Sequence, residues 1–304
     1  MKTFPSGARV CFVGDSLTAS NQPLQRIIDH YNKNFKERGV RFFNCGTSGG
    51  TYKGAIDYFY DDVLSHNPTH VVVAFGVNDS KRWLMENEKS AERFASLKAA
   101  FEIFKKNVAT YCEMVLSRGI ELTLCTPAPY DEYSKSDTVP LKGGYALMLG
   151  YSDFIRTYAK ENNIDLCDYH EYLCGELEVD EIPIICPDRV HPTPHGYYLI
   201  AKHFLAHQGL TIDEDAPIPE YFAEWHAAVA KLRIIFSAEE MVVHNYQMPL
   251  EEKMAMMEER VRTENWGQAV MERYIRAFVA EKRNQPQLYK LIDELYERDV
   301  HLKG

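Results

Sequence analysis

The sequence predicts an α/β fold: a parallel sheet of roughly five strands covered by helices on both faces, followed by an all-helical C-terminal extension. Three observations predict it. Over the first two-thirds of the 304 residues, short apolar runs alternate with longer helical patterns. Each run is almost continuously apolar and rich in Val, Ile, Leu, Phe or Cys, as strands buried on both faces are. Beyond residue 210 the strand rhythm stops, glycines become few, and only amphipathic helical patterns remain.

The elements follow in order. Residues 8–13 read as the first strand. Residues 22–38 read as a helix that stops at Gly39, a good C-terminal signal. Residues 40–44 are the second strand, and residues 52–66 a helix ending before Asn67-Pro68. The third strand is 70–75, followed by a long helix over 90–118 that stops at Gly119. Strand 120–125, helix 145–162 and strand 164–167 come next. The last helix of this part, 193–207, carries Pro194 in its first turn, where a missing N–H costs nothing. Right-handed crossovers bring every strand's C-terminal end to one edge of the sheet, where α/β folds bind ligands. Residues 211–219, with Pro217 and Pro219, read as a linker, which separates a domain of residues 1–210 from an extension of residues 211–304. In the extension, helices are expected at about 220–246, 249–265, 267–283 and 286–299, bounded by Pro249 and Pro286.

Composition narrows the class of function. A net charge of -10 with no basic stripe argues against nucleic acid as a partner. No stretch approaches the about 18 apolar residues of a membrane span. The N-terminal residues are polar, and the apolar run before Ser16 is too short for a secretion signal. The seven cysteines, 11, 45, 112, 125, 167, 174 and 186, form no C-x-x-C pair and are odd in number. They read as small buried hydrophobes in a reducing compartment, so a cytoplasmic protein is expected.

Four short motifs sit where strands or loops end. Gly14-Asp15-Ser16-Leu17 follows the first strand, Asn44-Cys45-Gly46-Thr47-Ser48-Gly49 the second, and Gly76-Val77-Asn78-Asp79 the third. Asp188-Arg189-Val190-His191-Pro192 precedes the last helix. Alone, each is more often a turn, a cap or a loop hydrogen bond. Together they supply what cleavage of an ester needs: a nucleophile, a base, an orienter for the base, and donors for the oxyanion. Ser16 is the candidate nucleophile and His191 the base. Asp188, three residues before it, can fold back onto the imidazole and hold one tautomer. The backbone N–H groups of Ser16 and Gly46 and the side-chain amide of Asn78 are the candidate oxyanion donors. Asp15 and Asp79 are expected to brace their loops through backbone hydrogen bonds.

Two competing assignments are weaker. Gly46-Thr47-Ser48-Gly49-Gly50 also fits the G-x-S-x-G pattern of a nucleophile elbow, but choosing Ser48 leaves Ser16 and Asn78 without roles. His191 and His195 stand four apart, with His170-Glu171 and Cys186 nearby in sequence. Pro192 and Pro194 interrupt that spacing and no third ligand is specified. No metal and no organic cofactor is expected.

With these four motifs the chain resembles the SGNH, or GDSL-type, serine hydrolases over roughly residues 8–207. The resemblance implies a flavodoxin-like three-layer α/β/α sandwich. It also implies hydrolysis of esters, sometimes thioesters or amides, with acetylated carbohydrates frequent among substrates. The expectation is therefore a serine esterase that removes a short acyl group, acetyl in the first instance, from a small or carbohydrate-like molecule. An acyltransferase or thioesterase on the same triad is the alternative, and a non-catalytic binding protein the reading from another class. Tyr130, Tyr133 and Tyr145 on the loop after the fourth strand, and Lys81, Arg82 and Trp83 after Asn78, border the expected site. They could meet substrate or pack and solvate their own loops. Three readings compete for the C-terminal helices: packing onto the same chain, a homo-oligomer interface, or a lid over the acyl pocket.

Overall fold

A computed structural model describes residues 2–85, 91–134, 138–179 and 183–212. The helices expected between residues 220 and 299, and every role weighed for them, lie outside the described residues. Five strands, β1 (Arg9–Gly14), β2 (Arg41–Gly46), β3 (His70–Ala74), β4 (Glu121–Cys125) and β5 (Asp165–Cys167), form one sheet in the order β2-β1-β3-β4-β5. All four pairings are parallel. Successive strand residues alternate between two cores. Cys11, Val13, Phe43, Val71, Val73 and Leu124 face one, and Val10, Phe12, Phe42 and Val72 face the other. The result is the three-layer sandwich that continuous apolar strands demand.

The helices complete the layers. They are α1 (Ser16–Ala19), α2 (Gln22–Asn34), α3 (Tyr52–Asp57), α4 (Phe59–Asp62), α5 (Ala91–Leu116), α6 (Gly144–Glu161), α7 (Tyr169–Val179) and α8 (Pro194–His207). Helices α5 and α6 bury Phe104, Val108, Tyr111, Tyr151 and Ile155 in the first core, and α2 and α8 bury Leu24, Ile27, Ile200 and Phe204 in the second.

Three differences from the expected elements have local causes. The helix expected over 22–38 breaks at Phe35 and finishes as a 3₁₀ turn, Lys36–Arg38, closed by Gly39 at φ +58°. The helix expected over 52–66 is three pieces, α3, α4 and a 3₁₀ turn at Leu64–His66. Its buried residues Tyr52, Phe59, Val63 and His66 still share one side. Periodicity reports which face is apolar; it is blind to backbone breaks at Tyr58 and Val63. Helices α1 and α7 were not expected. Four residues are too few to display a helical period, and α1 exists because Asp15 caps it, accepting the Leu17 N–H at 3.0 Å.

The end of β2 is locked onto α1. Asn44 donates through Nδ2 to Thr18 O (2.9 Å) and Asn21 Oδ1 (3.0 Å), while its Oδ1 accepts the Gly46 N–H (2.9 Å). Gly46 has no room for a side chain: a Cβ there would sit 2.4 Å from the Ala19 backbone nitrogen. Gly46→Ala should therefore push α1 away from the sheet and cost roughly 1–3 kcal/mol, the usual range for overpacking. Urea unfolding checks this, and a wild-type midpoint would show that α1 is not clamped here.

Candidate active site

The register of the sheet builds the site. Gly14 pairs with Gly46 and Ala74, Ala74 with Cys125, and Cys125 with Cys167, so the strand ends align at one edge. Ser16 leaves that edge directly after β1, as the first residue of α1. His191 comes from the loop before α8. That loop is closed by an antiparallel bridge between Ile185 and Pro192 and by the His191 carbonyl, which accepts the Cys186 N–H at 2.7 Å. The Ser16 Oγ and His191 Nε2 lie 2.9 Å apart although 175 residues separate them in sequence. His191 Nδ1 lies 2.5 Å from Asp188 Oδ2.

Asp188 is held as firmly as it holds. Its Oδ1 accepts the backbone N–H groups of Val190 and His191, both at 3.0 Å. Partial burial pushes its carboxyl up, but the bonds from the His191 backbone and ring and from Val190 outweigh burial and keep it below the ordinary value. A hydroxyl, an imidazole and an ionised carboxylate in this line can pass the hydroxyl proton to the ring while the carboxylate stabilises the imidazolium.

The expected oxyanion donors divide. The Ser16 N–H opens a helix, a position that has no intrahelical acceptor. Asn78 spends one amide proton on Gly50 O at 3.0 Å and keeps the other. Gly46 requires a correction. Its N–H is taken by Asn44 Oδ1, because β2 runs two residues past its expected end and holds Gly46 inside the strand. The turn begins after it, at Thr47–Gly50, closed by a bond from Gly50 N to Thr47 O of 2.8 Å. Gly49, exposed at φ +75°, occupies the left-handed position of that turn. Among the described residues nothing accepts its N–H. Sequence reasoning passed over Gly49; the signal was the doubled glycine, since one turn rarely needs two without a backbone reason.

Asp79 accepts the Tyr52 N–H at 3.1 Å and so ties the Asn78 loop to the start of α3, just beyond that turn. Asp15 caps α1, as described. Burial pushes Asp15 up to about 6 and Asp79 up to about 7. The Asp15 charge adds to the rise at Asp79. Of the loop residues, Tyr130 is 4% exposed, lies under Gly144, and accepts the Leu141 N–H through its hydroxyl. It is a core residue and does not line the site. Tyr133 is 77% exposed and its ring lies 5.7 Å from that of Tyr145. Trp83 is half exposed, Lys81 has φ +49°, and Arg82 Nη1 donates to Val77 O at 3.3 Å.

Ser48 sits exposed in the turn, and no described hydrogen bond links it to a histidine. The histidines weighed as metal ligands are dispersed. His195 stacks on Tyr198, while His170 is buried and meets Cys174 Sγ at 3.6 Å. Cys186 Sγ contacts Pro192 O. No group of three metal-ligating side chains gathers among the described residues.

A family model described as the GDSL-like lipase/acylhydrolase family matches residues 12–199. An acetylxylan esterase from Geobacillus stearothermophilus is 23% identical over 224 residues, which covers 67% of this chain and 95% of that protein. An uncharacterized lipoprotein, YqeF, from Bacillus subtilis (strain 168) is 26% identical over 184 residues, 54% of this chain and 72% of the relative. The crystal structure of Axe2, an acetylxylan esterase from Geobacillus stearothermophilus, has a TM-score of 0.58 at 20% identity, covering 71% of this chain and all of that one. A gut microbial diltiazem-metabolizing enzyme, BT4096, has a TM-score of 0.61 at 24% identity; the match covers 69% of this chain but spans only 48% of that structure. At these identities the solved structures speak for the fold.

The raised carboxyls have a consequence for stability. Between the ordinary value of 3.8 and about 7, the unfolded chain has released a proton that folded Asp79 retains. Stability from this group therefore falls as pH rises through that window and is level above it. Asp79→Asn keeps an acceptor for the Tyr52 N–H but cannot ionise. From pH 5 to pH 8 it should lose less stability in urea unfolding than the wild type does, and equal losses would mean that Asp79 ionises freely in the fold.

Proposed function

The chain belongs to the GDSL-like lipase/acylhydrolase family and is an ester-hydrolysing enzyme; on that premise we propose that it removes a short acyl group, acetyl first, from a carbohydrate-like ester through an acyl-enzyme on Ser16. The observation that carries the proposal is the relay Ser16 Oγ–His191 Nε2–Asp188 at 2.9 and 2.5 Å. As Ser16 Oγ attacks the carbonyl carbon, His191 Nε2 takes its proton. The tetrahedral oxyanion is met by the Ser16 N–H, the free amide proton of Asn78 and, in place of Gly46, the Gly49 N–H. His191 then hands the proton to the leaving alcohol. Water repeats the sequence on the acyl-enzyme, with His191 again as base, and releases the acid and Ser16.

The relatives' name, acetylxylan esterase, supports the acetyl and carbohydrate parts of this reading. So do the exposed rings of Tyr133 and Trp83, which offer apolar faces to a sugar. No helix among the described residues is long and apolar enough to cross a membrane.

Hydrolysis of p-nitrophenyl esters from acetyl to decanoyl tests the reading. Wild-type turnover should fall beyond butyryl. Ser16→Ala and His191→Ala should each lower kcat at least about a thousand-fold without loss of fold, and Asn78→Ala about 10²–10³-fold. Undiminished turnover in Ser16→Ala would remove the proposed nucleophile. Acyl transfer to an added alcohol that outran hydrolysis would make the enzyme a transferase on the same relay.

A further inference from the structure

We propose that Arg189 is a positioning residue: its guanidinium fastens the loop after β4 to the turn that carries Asp188 and His191, and so sets the wall against which the alcohol half of the ester lies. The proposal rests on the catalytic reading of Ser16, Asp188 and His191 given above.

Arg189 sits between the two groups of the relay and is only 3% exposed. Its side chain runs away from them. Nη1 donates to Asp131 O (3.0 Å) and Ser134 O (3.2 Å), while Nε and Nη2 both donate to Thr138 O (2.8 and 2.7 Å). The backbone adds a further tie, from Asp131 N to Arg189 O at 3.0 Å. Among the described residues every hydrogen-bond partner of the guanidinium is a carbonyl oxygen, and all three carbonyls belong to one loop. Four of its five N–H groups are met, and a buried cation is tolerated when it is so hydrogen-bonded. A planar fork of donors can span three carbonyls that a lysine ammonium, a point charge, cannot.

The backbone makes a second concession at the same residue. Arg189 has φ +67°, a left-handed conformation unusual for a side chain with a Cβ. That geometry lets Asp188 Oδ1 reach both the Val190 and the His191 N–H. Unusual backbone persists where the surroundings over-determine it, and here the surroundings are the loop that Arg189 grips. The loop leaves the edge of the sheet beside the Asn78 turn, with Pro127 against Gly76, and presents Tyr133 to solvent. One arginine thus joins the relay to a loop that offers an exposed ring, Tyr133, as a candidate contact for the alcohol half.

The test uses the full chain with Arg189→Gly, which keeps the left-handed backbone, and Arg189→Lys, which keeps the charge. Hydrogen exchange at residues 131–134 should quicken at least about tenfold in both variants, while the strands exchange as in the wild type. KM for peracetylated xylobiose should rise about tenfold or more, with KM for p-nitrophenyl acetate changing less than threefold. Methylguanidine at millimolar concentration should restore part of the loss in Arg189→Gly and none in Arg189→Lys. Unchanged exchange in the loop overturns the tether. Equal losses on both esters with no rescue would reduce Arg189 to a stability residue. Turnover that survives Ser16→Ala would bring down the catalytic reading and the kinetic half of the proposal with it; the exchange comparison would still decide the tether.

Discussion

Five parallel strands end in register, and every feature of the site depends on that line. Gly14, Gly46, Ala74, Cys125 and Cys167 stand side by side across the sheet. The chain leaves each of them into a turn or loop on the same edge. A one-residue slip of any strand would exchange its two faces, mismatching the packing of both cores and moving its turn away from the others. The packing of Val71, Val73 and Leu124 on one side and of Phe12, Phe42 and Val72 on the other therefore sets the site geometry from a distance.

Environment then separates side chains of one kind. Asp188, Asp15 and Asp79 all flank the site and all accept backbone N–H groups. Asp188 is half exposed and also faces an imidazole, so its charged form wins. Asp15 and Asp79 are more deeply buried, and burial raises both, to about 6 and about 7. The same carboxyl is held toward its anion in one place and shifted toward its protonated form in two others.

Most of this was readable from residues. Strand starts were placed to within a residue because Val, Ile, Phe and Cys runs declare burial on two faces. Four of the five strand ends were placed as closely; the exception is β2, whose ladder is made by backbone and continues through Cys45 and Gly46, past the expected end at Asn44. Gly46 was taken for an oxyanion donor because a glycine lets backbone approach a ligand closely; inside the lengthened strand its N–H is bonded to Asn44 Oδ1 instead. Helix α1 left no periodic trace, and whether Tyr130 meets substrate or packs its loop stayed open because nothing in a sequence tells which of several loop tyrosines turns inward. Arg189 read as a spacer between an acid and a base; its role depends on three carbonyls that only the folded loop brings together.

The bond between Ser16 and His191 closes a gap of 175 residues. The hydroxyl stands at the end of β1, while the imidazole follows β5, after the rest of the sheet in chain order. On the proposed mechanism, Ser16 stays an ordinary alcohol until β5 has joined the sheet and the turn after it has closed. Neither half of a protein cut between β4 and α6 would then hold a reactive serine, and reactivity would report that the sandwich is assembled.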